Sequence, residues 1–325
     1  MRLAALGPLH VSAIGLGCMG MSAYYGGADR DAGAINTIHR AIDLGVTHFD
    51  TAEIYGPFTN EELLGHALAG RRDDVAVATK FGQLTHTDGP LPAAAGIEAL
   101  RTRDGRADNV RAAVEGSLRR LRTDRVDLYY QHWPDPNTPI EETVGALAEL
   151  VAQGKIIHIG LSNADPELVR RAHAVHPVAA VQSQYSLLHR DPEDVLLPVL
   201  RELGIGFVAY SPIGQGLLSG RIRSAEGLDP LDVRRRLPRF AGEQLRRNLD
   251  AVAEVEAVAR EVDATAAQVA LAWLLAQGDD LASIPGTTRI DRIEENIGAL
   301  RVELDAHQLA RLDALRPERE VRSQA

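Results

Sequence analysis

Short apolar runs of strand length alternate along the chain with stretches whose apolar residues recur at helical spacing. Ile35, Ile38, Ala41 and Ile42 follow an i, i+3, i+6, i+7 pattern, and Gly45 marks the stop of that helix. Residues 46–49 then read as a strand, 61–69 as a helix and 75–78 as a strand. A helix over 110–121, with Asp108 or Asn109 as its cap, precedes a strand over 126–130. The alternation continues with a helix over 140–152 ended by Gly154, a strand over 156–159, and a helix over 166–174 with Asp165 as N-cap and Pro166 in its first turn. A strand over 178–181, a helix over 192–203 closed by Gly204 and a strand over 205–209 follow. Residues 248–277 hold two helices broken near Asp263-Ala264-Thr265. Residues 281–284 form the last strand, and helices near 290–300 and 305–315 finish the chain.

With residues 13–16 counted as the first, the pattern contains eight strands, mostly followed by helices. Short apolar strands alternating with helices predict a parallel sheet buried on both faces. Eight such units in 325 residues predict an α/β fold, a closed (β/α)8 barrel. Residues 2–11, turning at Gly7-Pro8, read as a small hairpin that caps it. No low-complexity linker or close repeat divides the chain, so residues 1–325 read as one domain. Two loops are long: 83–107, rich in Gly, Pro and Ala, and 212–247, polar and rich in arginine. Loops of that length usually carry function.

Composition narrows the picture. Hydrophobic residues at 45% and charged residues at 25% are globular values, and aromatics at 4% leave the core to Ala, Val, Leu and Ile. A net charge of −10 argues against nucleic acid or an anionic membrane as partner, though not against one local basic pocket for a phosphate. The single cysteine, Cys18, allows no internal disulfide and no cysteine-based zinc site, and no metal is expected. No apolar run reaches the roughly 18 residues of a spanning helix. Gly7-Pro8, His10, Gly15 and Gly17 interrupt the apolar N-terminus, with no clear cleavage site after it. The expected setting is the cytoplasm. Lys80 and Lys155 are the only lysines, and Lys80 ends an apolar strand.

The chemistry lies at the strand ends, which in a barrel converge on one face. They run into Gly15-Leu16-Gly17-Cys18-Met19-Gly20, Asp50-Thr51-Ala52, Lys80-Phe81-Gly82, Gln131-His132-Trp133, Ser162-Asn163, Gln182-Ser183-Gln184-Tyr185, Tyr210-Ser211-Pro212 and Pro285-Gly286-Thr287-Thr288. Tyr55 follows Asp50 by five residues. A phenol with its ordinary pKa of about 10 is a poor acid at neutral pH, and a neighbouring ammonium such as Lys80 favours the phenolate. Asp50 can hold that ammonium, and His132 can bond a substrate oxygen from the other side. Such a set protonates a developing alkoxide, as carbonyl reduction requires. It lacks a nucleophile–base pair, which disfavours acyl transfer. Taken singly, Asp50 reads as a turn cap, Tyr55 as a packing aromatic and His132 as a structural histidine. Only jointly, at matching strand ends, do they read as a site.

On these residues the chain resembles the aldo-keto reductases. The resemblance runs through Gly15 to Met21, Asp50-Thr51-Ala52-Glu53-Ile54-Tyr55-Gly56, Ala78 to Gly82, Asp127 to Trp133, Gly160 to Asn163, Val208 to Gly214, and Ile284 to Asn296. It implies an NADPH-dependent reductase of aldehydes or ketones on a (β/α)8 barrel. Asp50, Tyr55, Lys80 and His132 match the catalytic tetrad, with Tyr55 the proton donor. Ser162, Asn163 and Gln182 match contacts to the nicotinamide amide, and Tyr210 matches the ring that stacks on nicotinamide. Ser211, Pro212, Ile213, Gly214, Gly216 and Leu217 belong to the segment that wraps the pyrophosphate. Gly17, Cys18 and Met19 line the cofactor at the mouth. Gly286, Thr287, Thr288, Arg292, Glu295 and Asn296 belong to the adenosine end. Tyr24, Tyr55, His132 and Trp133 form the expected substrate pocket. Pro57 to Glu62 and the Ile284-Pro285-Gly286-Thr287 form look most like the bacterial, fungal and plant branch that includes pyridoxal reductases.

The sequence also departs from the family pattern. Gly286 stands where many members carry a lysine for the 2′-phosphate, which moves that role to Arg292, with Arg289 beside it. Arginine in a first helical turn is poorly placed against the helix dipole, which favours an anion partner. Gln184 replaces a common glutamate. Trp133 replaces an arginine beside the histidine. Cys18 reads as a packing residue, and Arg234-Arg235-Arg236 as a solvated loop face. Gly15 to Gly20 also fits the G-x-G-x-x-G dinucleotide fingerprint, but the residues after it start a helix poorly, so a Rossmann dehydrogenase is the alternative and a barrel-mouth loop the expectation. A second alternative is a non-catalytic, NADPH-binding regulatory subunit of an ion channel. The lack of a long extra N-terminal segment points away from it.

Overall fold

A computed structural model of the chain describes residues 1–22, 31–86, 102–230 and 232–315. Strands β1 (Leu3–Leu6) and β2 (Leu9–Ser12) pair antiparallel as the expected hairpin. Eight parallel strands follow: β3 (Leu16–Gly17), β4 (His48–Asp50), β5 (Ala76–Phe81), β6 (Val126–Gln131), β7 (Ile156–Ser162), β8 (Val178–Gln184), β9 (Gly206–Tyr210) and β10 (Leu281–Ser283). Each pairs with the next in chain order. Parallel bridges from Ile14 to Ser283 and from Gly17 to Gly286 join the first strand to the last and close the barrel. The doubly wound Rossmann alternative is thereby overturned: the strand order never reverses, and a single 3₁₀ turn over Met19–Met21 follows Gly17 where that motif needs a helix.

The helices between strands are α1 (Asp31–Asp43), α2 (Thr59–Ala67), α3 (Ala107–Leu121), α4 (Ile140–Ala152), α5 (Pro166–Val175), α6 (Pro192–Leu203), α7 (Gly242–Glu261) and α8 (Ala266–Leu275), and α9 (Ile290–Gly298) and α10 (Ala306–Asp313) follow the last strand. Helix α1 buries the predicted stripe, with Ile38 and Ala41 fully covered. Helix α5 has the expected cap, Asp165 accepting the Leu168 amide at 2.9 Å. The break between α7 and α8 falls where Asp263 turns left-handed and Thr265 with Gln268 forms a capping box. Helix α7 starts six residues earlier than predicted, at Gly242, so the long loop after β9 is shorter and contains three 3₁₀ segments.

The core is two-layered. Phe49, Val77, Tyr129, Ile159, Val181 and Phe207 face outward to the helices, whereas Ala78, Leu128, Tyr130, Ala180, Val208 and Ala282 fill the interior. The hairpin plugs the end where the strands begin. A Cβ on Gly206 would lie 2.4 Å from the Leu6 backbone, so only glycine lets the hairpin seat there. The opposite end, where the strands finish, is left for chemistry. Among the described residues, no helix is long and apolar enough to cross a membrane.

Candidate active site

Strand register lines up the strand ends at the mouth, and Tyr55 and His132 lie on the segments just beyond β4 and β6. Gly17 pairs with Asp50, Lys80 with Tyr130, Ser162 with Gln182 and Gln184 with Tyr210. The Lys80 side chain is 1% exposed and that of Asp50 3%, so their ion pair is shielded from water. Lys80 Nζ also donates to the Thr51 carbonyl at 2.8 Å and stands 3.5 Å from the Tyr55 hydroxyl, a long contact of the kind that tightens on substrate binding. The second oxygen of Asp50 accepts from Gln182 Nε2 at 2.7 Å. A lysine in so dry a place needs such partners, because an uncompensated buried charge costs about 3–5 kcal/mol. Lys155, the other lysine, is a partly exposed partner of Glu115.

His132 follows β6, its amide donating to the Phe81 carbonyl at 3.0 Å. Its ring stands edge-on to Tyr55, with centroids 5.9 Å apart and planes at 83°. Burial, then the positive charges of Lys80 and Arg103, hold its pKa well below the usual histidine range. The ring is therefore neutral at neutral pH, able to donate a hydrogen bond but not to act as a cationic acid. Its Nδ1 is buried without a protein partner. Trp133 is half-buried beside it, with the Arg103 guanidinium 4.9 Å from its ring centre. Tyr24 lies outside the described residues, as do residues 87–101 of the loop after β5.

The cofactor candidates run along the same mouth. Asn163, left-handed at φ 58°, donates to the Ser162 hydroxyl at 3.0 Å and to the His132 carbonyl at 3.2 Å, and accepts from the Tyr210 hydroxyl at 2.9 Å. That fixes the Tyr210 ring at the rim. Ser211 is also left-handed, and the chain then passes Pro212 and Ile213 into Gly214–Ser219, where Gln215 and Gly216 again take positive φ and Leu217 is buried. The side-chain oxygen of Gln215 is buried without a protein partner. Gly17 and Gly286 pack backbone against backbone, and a Cβ on Gly17 would lie 2.7 Å from the Ile284 carbonyl. The orphaned buried polar atoms at His132 and Gln215, on segments that follow β6 and β9, fit a polar dinucleotide at the barrel mouth. On α9, Arg292 pairs with Glu295 at 2.7 Å, Glu295 also meets Arg221 at 3.1 Å, and Asn296 is buried; Thr287 and Thr288 lead into that helix.

Two expectations need correction, and a third gains carboxylate partners. Asn109 is no helix cap, for α3 begins at Ala107; it is buried and holds the Leu84 and Asp104 carbonyls and the His86 amide. Arg234 is not a solvated loop residue, since it pairs with Asp232 and donates to the Gln215 carbonyl at 3.1 Å. Arg292 and Arg289 already face carboxylates, Glu295 and Asp291. Cys18 is buried, its thiol pushed up by burial, and Met19 packs against the cluster of Ala52, Ile54, Tyr55 and Leu84. Gln184, with its amide oxygen turned toward Arg239, accepts at 2.6 Å.

Two supports escaped the sequence reading. Asn60 links the mouth loops, accepting from the Thr51 hydroxyl at 2.7 Å and donating to the Cys18 carbonyl at 2.9 Å. Glu53 is fully buried between Asp50 and Tyr55. For Glu53 the available signal was a charged residue between Ala52 and Ile54; Asn60, among Thr59, Glu61 and Glu62, gave none.

The sequence model of the aldo/keto reductase family matches residues 13–317. Among solved structures, the glycerol dehydrogenase AKR11B4 from Gluconobacter oxydans is 29% identical, with 97% of this chain and 94% of that one covered and a TM-score of 0.84. The aldo-keto reductase AKR11C1 from Bacillus halodurans, in its holo form, is 30% identical over 97% and 96% of the two chains, with a TM-score of 0.76. An aldo/keto reductase from Klebsiella pneumoniae in complex with NADP and acetate is 28% identical over 98% and 97%, with a TM-score of 0.74.

Proposed function

The chain belongs to the aldo/keto reductase family, as an NADP-dependent oxidoreductase, and from that premise we propose that it reduces an aldehyde or ketone to the alcohol with Tyr55 as proton donor. The observation that carries the reading is the contact of Lys80 Nζ with the Tyr55 hydroxyl, made while the same ammonium is ion-paired to Asp50. NADPH, when bound, supplies the hydride that reaches the carbonyl carbon. The neutral His132 ring donates a hydrogen bond to the carbonyl oxygen and orients it. Tyr55 gives its proton to that oxygen as negative charge develops there, and Lys80 stabilises the phenolate left behind. Asp50 keeps Lys80 aimed and Gln182 in place.

Ser162, Asn163 and Gln182 would hold the nicotinamide amide, Tyr210 would cover the ring, and residues 211–217 would wrap the pyrophosphate. Gly17, Cys18 and Met19 would border the same track. Gly286, Thr287, Thr288, Arg292, Glu295 and Asn296 would take the adenosine end, with Arg292 on the 2′-phosphate. Trp133 and Tyr24 would shape the carbonyl pocket.

The Gluconobacter relative carries the name of a glycerol dehydrogenase, so the same transfer run backwards, from a polyol, belongs in the assay. NADPH consumption with a panel of aldehydes, and NADPH formation with glycerol and other alcohols, establish direction and substrate. In that assay Tyr55→Phe is expected to lose about 10²–10⁴-fold in turnover, the usual worth of general acid catalysis, with NADPH binding kept. Retention of a tenth of the wild-type rate would rule Tyr55 out as the acid.

A further inference from the structure

Behind the mouth, on the outer side of β5, lies a buried carboxylate that the chemistry above does not use. One oxygen of Glu53 accepts the Gly82 amide at 2.9 Å, and the other meets His86 Nε2 at 2.7 Å. The Glu53 amide donates to the Lys80 carbonyl at 3.2 Å, and its carbonyl accepts the Phe58 amide at 2.8 Å. His86 is tied down in turn, its own amide donating to Asn109 Oδ1 at 2.7 Å. One side chain thus joins the turn that carries Tyr55 to the strand end that carries Lys80. We propose that Glu53 and His86 form a positioning pair that fixes the Tyr55 hydroxyl against Lys80 for proton transfer. The proposal rests on Tyr55 being the donor.

The groups facing Glu53 are His86 from the segment after β5, Glu61 from α2, Arg120 from α3 and the phenol of Tyr129 from β6. Arg120 is bound to Glu61 at 2.7 Å and so offsets that charge first. Burial pushes the Glu53 carboxyl up, and the hydrogen bond and charge of His86 draw it partly back. Glu53 therefore takes up a proton at a higher pH than an exposed glutamate. That proton removes the charge facing His86. Turnover should fall on the acid side as the clasp loosens.

Glu53→Gln keeps an acceptor for the Gly82 amide but cannot ionise. It should lower kcat about tenfold, a sub-ångström misplacement being enough for that. Its NADPH dissociation constant should stay at the wild-type value, and the acid-side decline should be gone. His86→Gln, which still donates to Glu53, should keep kcat close to wild type. His86→Leu should fall as far as Glu53→Gln, and this pair carries the test if Glu53→Gln does not fold. A wild-type kcat and pH profile in Glu53→Gln, or a wild-type kcat in His86→Leu, overturns the pair. Tyr55→Phe measured alongside separates the two readings: full activity there removes the donor and with it the purpose of the clasp, whereas an inactive Tyr55→Phe beside an unaffected Glu53→Gln removes the clasp alone.

Discussion

His48 and Asp50 sit two residues apart on one strand and point to the same side of it, yet their surroundings are opposite. Asp50 has Lys80 on one oxygen and Gln182 on the other. His48, 1% exposed, has no protein partner on either ring nitrogen, and burial draws its pKa down to about 4. One level of the barrel separates them. At the mouth, Asp50 is satisfied by Lys80 and Gln182, and Asn163 by Tyr210, so these groups aim one another. Below it, the interior is Ala78, Leu128, Ala180 and Val208. The same desolvation is therefore tolerable at one level and a net cost at the next. Partners make the difference, and only the partnered level can hold charge in place for a reaction.

Breaking the partnered level gives the largest effect. Lys80→Met leaves the Asp50 carboxylate buried with only Gln182 facing it. Stability should fall by about 3–5 kcal/mol, as for any buried pair that loses one member. Turnover should fall at least 10²-fold, because the phenolate of Tyr55 loses its counter-charge. Denaturant unfolding and steady-state kinetics read the two losses separately. An unchanged rate in a destabilised protein would make Lys80 a structural residue only.

A smaller effect comes from the rim, where a cation has a partner it can exchange. Arg292 is a quarter exposed, and Glu295 is shared with Arg221. A charge-assisted hydrogen bond to a 2′-phosphate is worth about 1.5–3 kcal/mol, and each 1.4 kcal/mol is tenfold. Because the phosphate must compete with Glu295, Arg292→Ala should weaken NADPH by about tenfold, the low end of that range. NADH, which lacks the phosphate, should bind almost unchanged. Quenching of tryptophan fluorescence by both cofactors measures this. Equal weakening of the two would show that Arg292 merely holds Glu295 and its helix.

How much of this was legible in the sequence follows from the same contrast. The barrel, its eight strands and its hairpin came from period and punctuation, because apolar strands and stop signals act locally. Asp50, Lys80 and His132 could be placed together because strand ends in a barrel converge whatever the helices do. Asn109 could not be read correctly: beside the start of a helix it has the chemistry of a cap, and only tertiary packing turns it toward the Leu84 and Asp104 carbonyls. The Glu53–His86 contact spans thirty-three positions with no periodic signal to announce it. The orphaned ring of His48 was equally hidden, since a histidine two residues before an aspartate gives no hint that one will be satisfied and the other not.

The unpartnered level yields the smallest effect at neutral pH, one that grows with acid. The folded protein keeps His48 neutral with a pKa of about 4, whereas an unfolded chain binds the proton near 6.5. Between those values the unfolded state holds more protons, so the contribution of His48 is intact above about 6.5 and is lost progressively as pH falls toward about 4. A shift of that size corresponds to roughly 3 kcal/mol at the acid end. His48→Leu removes both the linkage and two orphaned nitrogens while keeping a similar volume beside Gly15. The variant should match or exceed wild type by about 1 kcal/mol at pH 7, and its advantage should widen steadily between about pH 6.5 and pH 4. Thermal unfolding at a series of pH values tests this, with turnover at neutral pH expected to be unchanged because His48 touches no member of the tetrad through a hydrogen bond. If the two melting curves stayed parallel on acidification, His48 would not be the linked group. If the variant were the weaker protein throughout, the lower level of the barrel would be holding that ring as firmly as the mouth holds Asp50.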